Sequence, residues 1–340
     1  MYIMGTSGMN TKNKSILTNL INNGLDAIRL NASHGTIKEF QDIVNYKNKN
    51  NYNIHILLDL AGAKIRVSDR LHTSLSINTG TKVLFCGEDV YDSYNKDAHS
   101  NLIVPLTIDN NSLITSPITS LSIKDGTLNF NIINISTRGI LAISKNSGII
   151  RETKGCNIPG LKRGNTPLSV NDKTILNWGL DNSVDIISQS FVEDPIDLLS
   201  LNNYIRSHSD LRPKILAKIE TLIGFKNIDN ILPECDGIII GRGDLIPETS
   251  LLDAPYIESS LITKTKSQNK DIFIATHLLD SMKKSSSPSL TEVECIYNYI
   301  KMNVDGFILC GETSFGKHPI KAVRVLKSLI ERYQDNIEKQ

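Results

Sequence analysis

Two short segments set a cation beside a carboxylate at spacings that suit chemistry. In Lys218-Ile219-Glu220 an extended chain puts the ammonium and the carboxylate on the same side. Burying such a pair is expensive, so it needs a purpose. Glu220 suits a hard cation and Lys218 a developing negative charge, while a plain Lys–Glu ion pair satisfies the same spacing. In Gly241-Arg242-Gly243-Asp244 two glycines bracket an arginine and lead to a carboxylate. Glycine lets backbone approach a ligand, and free N–H groups there can hold a carboxylate or phosphate. Asp244 can share a divalent metal with Glu220. Mg²⁺ accepts one or two carboxylates together with substrate oxygens and water. The competing reading is a tight, capped turn.

Other polar clusters follow short apolar runs. Arg29, Asn31, Ser33 and His34 fall within six residues, and Arg29 offers a planar fork for phosphate or carboxylate. A structural salt bridge explains Arg29 as well, and a hydrogen-bonded packing role explains His34. Asp59 can pair with a cation or with Arg29, and Arg66 is a second anion clamp or part of a charged network. Thr276 can hydrogen-bond a carboxylate or help move a proton, and His277 can do either or neither. Glu312 reads as an orienting group. Each cluster is modest alone; their shared position after apolar runs is what argues for one site.

Those runs are residues 2–5, 27–30, 55–60, 184–188, 214–219, 237–241, 271–275 and 306–310. Each has the length and β-branched content of a parallel strand covered on both faces. Helical periodicity occupies residues 14–23, 36–48, 172–180, 196–207, 256–267, 290–301 and 319–333. The 172–180 segment opens on an Asn-Asp cap signal. Alternating strand and helix predict an α/β fold, a (β/α)8 TIM barrel, with catalytic groups at the C-terminal ends of the strands.

The helical period disappears between Val67 and Gly155. Short alternating pieces at 74–77, 81–85, 112–115, 128–133 and 139–144, separated by turn signals, predict a small all-β domain inserted after the third strand. A structureless loop of that length would be unusual. The expected division is residues 1–67 and 155–340 for the barrel and 68–154 for an inserted β-barrel lid. The tail, residues 335–340, reads as frayed.

A length of 340 residues accommodates a barrel of about 250 residues and one small domain. With 40% hydrophobic and 21% charged residues the composition is that of an ordinary globular protein. A net charge of +1 supplies no global field for nucleic acid, so an anion must meet a local site. Five cysteines, odd in number and without metal or redox spacing, predict free thiols and a cytoplasmic location. No signal segment opens the sequence, and no apolar stretch reaches membrane-spanning length.

The segments carrying these residues resemble pyruvate kinase. Ala27-Ile-Arg-Leu-Asn-Ala-Ser-His-Gly35 resembles that family's ARLNFSHG, and Leu58-Asp-Leu-Ala-Gly-Ala-Lys-Ile-Arg66 its LDTKGPEIR. Lys154-Gly-Cys-Asn-Ile-Pro159 is similar to KGVNLP, and Leu216-Ala-Lys-Ile-Glu220 to the lysine–glutamate strand. Asp236-Gly-Ile-Ile-Ile-Gly-Arg-Gly-Asp-Leu245 is similar to DGIMVARGDLG. Ala275-Thr-His-Leu-Leu-Asp-Ser-Met282 and Gly311-Glu-Thr313 follow ATQMLESM and SGET. The resemblance implies phosphoryl transfer from phosphoenolpyruvate to ADP, giving pyruvate and ATP. It places Mg²⁺ (or Mn²⁺) on Glu220 and Asp244. Lys218 would act on the phosphoryl group and the enolate, Arg29 on the phosphate, and Gly243, Asp244 and Thr276 on the carboxylate. On the nucleotide side it places Arg66 and Lys154, with His34 and Asn31 nearby.

Departures from the family pattern shape further expectations. The family's monovalent-cation site corresponds to Asn31, Ser33, Asp59 and Leu60, where Leu60 replaces a threonine. Lys64 stands where many relatives carry Glu, so its ammonium is expected to replace K⁺. Ala61, Ala63 and His277 replace Lys, Pro and Gln. Members usually add a C-terminal effector domain. The sequence stops after the eighth helix, which predicts no regulation of that kind and a monomer or a homodimer through the barrel. Two alternatives stay open: a Mg-dependent aldolase or lyase of pyruvate or another 2-oxo acid, and a non-catalytic phosphoenolpyruvate-binding paralogue.

Overall fold

Runs such as Gly237-Ile-Ile-Ile-Gly241 are buried on both faces when helices cover one and the interior of a closed barrel receives the other. The computed structural model, which describes residues 1–94, 102–163 and 168–338, has that arrangement. Strands Tyr2–Thr6, Ala27–Asn31, His55–Leu60, Ile186–Gln189, Lys214–Ile219, Gly237–Gly241, Asp271–Ala275 and Gly306–Leu309 close into a parallel barrel, each beside its neighbours in chain order. All eight lie within two residues of the runs read from sequence.

Side chains alternate along each strand. Met4, Ala27, Leu57, Ile186, Leu216, Ile239, Phe273, Ala275 and Ile308 form one cluster inside the barrel, with at least one residue from every strand. Outward-facing neighbours such as Ile28, Leu58, Ile187, Ala217 and Ile240 pack under the helices. Two residues beyond the inner cluster the axis is met again, now by Thr6, Arg29, Asp59, Ser188, Lys218, Gly241 and Cys310. The barrel is therefore apolar within and polar at its C-terminal mouth.

The helices start at defined caps. Thr36 with Glu39, and Ser289 with Glu292, close reciprocal capping boxes ahead of Ile37–Lys49 and Leu290–Lys301. Loss of one such cap costs about 1 kcal/mol. The helix Val170–Asp181 starts earlier than the Asn-Asp signal suggested: Ser169 is its cap, accepting from the Asp172 N–H. The Asp172 carboxylate instead accepts from the Ala61 N–H at 3.1 Å, tying down the loop after the third strand. Between the fifth and sixth strands lie two short helices, Leu222–Lys226 and Ile228–Ile231, too brief to give a periodic stripe in sequence. The last helix, Pro319–Glu338, continues where a frayed tail was expected, although its buried face, Ala322, Val323, Leu326 and Ile330, ends before residue 335. Residues 339–340 lie outside the described residues.

After the third strand the chain forms β-structure around its own core. A six-stranded sheet runs Cys156–Asn157, Leu121–Ile123, Leu128–Ser136, Gly139–Ser144, Lys82–Gly87, Leu102–Leu106, and Leu75–Ile77 pairs with Gly148–Ile150. Residues 65–68 run between the two outer strands of the six-stranded sheet, with Arg66 bridging to Gly155 and Val67 to Leu106. Residues 112–115, expected as strand, belong to the helix Asn110–Thr115, because Asp109 caps it by accepting from the Ser112 N–H. Phe85 and Phe130 meet edge to face at 5.0 Å in the core. That core takes in Ile65 and Val67 before the insertion and Cys156, Ile158 and Leu161 after it. The packing thus overruns the expected limits of 68–154 on both sides.

Candidate active site

Asp59, next to last in the third strand, points into the mouth, is 1% exposed and gathers four side chains. One of its oxygens accepts from Arg29 Nε at 2.8 Å and Nη2 at 2.5 Å, and from Lys218 Nζ at 3.3 Å. The other accepts from Ser188 Oγ at 2.7 Å and Ser190 Oγ at 3.4 Å. Burial alone would raise the Asp59 carboxyl; Lys218 and Arg29 outweigh it and bring it down to about 2. Burial works against the Lys218 ammonium too, but Asp59 and Glu220 hold it above the ordinary lysine range. Arg29 also donates to Thr6 Oγ1 at 3.1 Å and lies 3.4 Å from Cys310 Sγ. Arg29, Asp59 and Lys218 are therefore charged and locked in place.

Glu220, the first residue past the fifth strand, puts Oε1 3.2 Å from Lys218 Nζ and accepts from the Phe191 N–H through Oε2 at 3.0 Å. It fits only because Gly241 has no side chain: a Cβ there would stand 2.4 Å from Oε1. Asp244 lies in the first turn of Arg242–Glu248. Its oxygens are 2.8 and 2.9 Å from Lys64 Nζ, and Asn157 Nδ2 donates to Oδ1 at 3.0 Å. Burial pushes Glu220 above the ordinary carboxylate range despite Lys218. At Asp244 burial acts the same way, but Lys64 and the Asn157 hydrogen bond bring the carboxyl below that range.

Glu220 and Asp244 fit a divalent cation by the chemistry of the donor set. Glu220 is buried, Asp244 is nearly so, and the Asp244 charge raises the affinity of Glu220 for a proton. Their present counter-charges are two ammonium groups, Lys218 and Lys64. Asp244 also lines a cleft of about 1110 Å³, with room for water and substrate oxygens.

Around that cleft the structure brings together Arg29, Asn31, Ser33, His34, Lys64, Arg66, Lys218, Gly243, Asp244 and Thr276. The Gly243 N–H donates to Thr276 Oγ1 at 2.7 Å, so both face one patch of wall. Thr276 and His277 have φ of 69° and 52°, a left-handed bend that strains a β-branched residue. His34 is pushed down to about 4, by burial and then by Arg66 and Lys64, which keeps its imidazole neutral near pH 7. Arg66 donates to the Thr153 carbonyl at 2.8 Å. Lys154 is not among the lining residues but contributes to the positive field at His34.

Other residues lie elsewhere. Arg242 turns away from the cleft toward Glu258, at 3.3 Å, and the His277 carbonyl, at 3.2 Å. His277 faces Asp280 at 3.1 Å. Glu312 accepts from the backbone N–H groups of Leu279 and Cys310, an orienting role. Lys64 shares the cleft with Asn31 and Ser33 of the expected monovalent-cation site. Its ammonium is hydrogen-bonded to Asp244, Asp59 is bound by Arg29 and Lys218, and Leu60 is buried under the helices. The long lysine stem reaches across the mouth. Sequence reading missed Ser188, Ser190, Asn157 and Asp125. Strand alternation from Ile186 could have found Ser188, and Asn157 sits within the Lys154–Pro159 motif.

A closed (β/α)8 barrel with carboxylates and cationic side chains gathered round a cleft at its C-terminal mouth defines a TIM-barrel protein with a charged site at the end where that fold places its chemistry. The chain belongs to the pyruvate kinase family: the family model "Pyruvate kinase, barrel domain" matches residues 1–323. It is 29% identical to the pyruvate kinase of Bacillus licheniformis over 339 residues, covering 98% of this chain and 57% of that protein. With pyruvate kinase of Geobacillus stearothermophilus it shares 28% over 342 residues, 99% of this chain and 57% of the relative. Pyruvate kinase 2 of Saccharomyces cerevisiae is 31% identical over 332 residues, 95% and 64% respectively. The chain therefore spans little more than half the length of these relatives.

Proposed function

We propose that the chain catalyses phosphoryl transfer from phosphoenolpyruvate to ADP, yielding pyruvate and ATP. One observation carries the reading: Lys218 joins the Asp59–Arg29 cluster to Glu220, so a locked cationic floor adjoins two metal-suited carboxylates under one cleft. Glu220 and Asp244 would hold Mg²⁺, or Mn²⁺, which supplies charge neutralisation at phosphate and enolate oxygens. Arg29 binds the phosphate through the edge of its fork left beside Thr6 and Cys310. Lys218, charged and fixed by Asp59 and Ser190, stabilises the phosphoryl group in flight and the enolate left behind. The backbone N–H groups of Gly243 and Asp244, with Thr276, would orient the carboxylate, which would take the Gly243 N–H from Thr276 Oγ1. Arg66, with Lys154, His34 and Asn31, forms the nucleotide side. The β insertion acts as a lid that excludes water. Its presence favours this reading over a pyruvate aldolase or lyase, which has no nucleotide to cover.

The chain works in the cytoplasm, a reading supported by five unpaired cysteines, and no helix among the described residues is long and apolar enough to cross a membrane. A homodimer through the barrel belongs to the same reading. So does independence from K⁺: Arg29, Lys218 and Lys64 already bring three positive charges to the mouth. The test is pyruvate formation from phosphoenolpyruvate and Mg²⁺, with and without ADP, across a KCl series at constant ionic strength. ADP-dependent turnover, flat in KCl, is expected. Turnover of 2-oxo acids without ADP, or binding without turnover, would reject the phosphotransferase. A steep rise with KCl would reject only the cation clause.

A further inference from the structure

Lys64 stands between two carboxylates from different parts of the chain. Its ammonium is 2.8 Å from Asp244 Oδ1 on the barrel and 3.8 Å from Asp125 Oδ1 on the insertion. Asp125 belongs to the turn between the strands Leu121–Ile123 and Leu128–Ser136, and its side chain is 66% exposed. That turn lies against the helix bearing Asp244, since a Cβ on Gly126 would meet Pro247 Cβ at 3.5 Å. The route of the lysine is defined on its other sides. A Cβ on Gly155 would stand 2.6 Å from Lys64 Cε, and the Phe191 ring centroid is 5.7 Å from Nζ.

Both Asp244 oxygens are engaged by this ammonium. A divalent cation on the same carboxylate would face a like charge within a few ångströms, in a partly buried site where screening is weak. The ammonium must therefore leave, and the nearest anionic group on its path is Asp125. We propose that Lys64 is a displaceable counter-ion. It holds the Asp244 carboxylate until the metal takes it and then passes to Asp125, so metal occupancy tightens the contact between insertion and barrel. This rests on reading Glu220 and Asp244 as the metal carboxylates. Coupling of this kind is reciprocal: if the metal favours the Lys64–Asp125 pair, the Asp125 charge favours the metal by the same factor.

The test is Mn²⁺ binding to the full chain, followed by the electron paramagnetic resonance of free Mn²⁺ at fixed ionic strength. Lys64→Met is expected to tighten binding about tenfold, and Asp125→Asn to weaken it about two- to threefold. In the double variant Asp125→Asn is expected to change nothing further. Lys64→Gln repeats the measurement with a polar side chain and guards against misfolding of the first variant. Binding no tighter in both Lys64 variants, or an equal effect of Asp125→Asn with and without Lys64, overturns the exchange. Absence of Mn²⁺ binding in every form, Lys64 variants included, would instead remove the metal assignment on which it stands.

Discussion

Asp59 and Asp244 lie under one cleft, each neutralised by lysine, yet they are built differently. Asp59 is 1% exposed and is held by Arg29, Lys218, Ser188 and Ser190, on strands or the first residue beyond one. Asp244 retains 13% side-chain exposure and is held by Lys64 and Asn157, from the segments where the chain leaves for the insertion and returns. Strand geometry fixes the first group to the barrel axis, and long or connecting side chains leave the second exchangeable. The proposed phosphoryl transfer would use both: charges that do not reorganise during the reaction, and a carboxylate that can change partners when ligands enter.

The sharpest way to break this comparison is to neutralise each carboxylate in turn. Asp59→Asn strands two buried cations and is expected to lower unfolding stability by about 3–5 kcal/mol. Asp244→Asn leaves the Lys64 ammonium within reach of Asp125 and is expected to lose less, about 1–3 kcal/mol. Denaturant unfolding of both variants measures the gap, and equal losses would abolish the distinction. Lys218→Met removes the cation shared by Asp59 and Glu220. Turnover is expected to fall about a hundred- to a thousandfold, with circular dichroism unchanged. Near-normal turnover would leave the locked side without a chemical role.

The smallest effect concerns His34. Its folded imidazole takes up a proton near pH 4, against 6.5 when unperturbed. The folded state therefore binds fewer protons between those values. The stability it contributes is complete above 6.5 and is lost as pH falls toward 4. An NMR titration is expected to find that low midpoint, and Lys64→Met to move it upward. A midpoint near 6.5 in the unaltered chain would mean that His34 is more open to water, and Arg66 and Lys64 further from it, than described.

Most of the barrel was legible because buried parallel strands are short, unbroken apolar runs whose polar residues come at their ends. Lys218 and Glu220 could be placed from alternation and a strand end. Partnerships across the mouth could not be read. Lys64 has four rotatable stem bonds and selects Asp244, 180 residues away in sequence. Ser190, one residue beyond its strand, holds Asp59 but looks like any loop serine in the sequence. Residues 112–115 resembled a strand because Ile and Thr dominate so short a window, and the cap at Asp109 decided otherwise.

The left-handed bend at Thr276 has a consequence for directed evolution. Glycine there would relieve the torsional penalty of that backbone while deleting the hydroxyl that meets the Gly243 amide. A library screened solely for heat resistance would therefore be drawn toward chains that endure longer and do less.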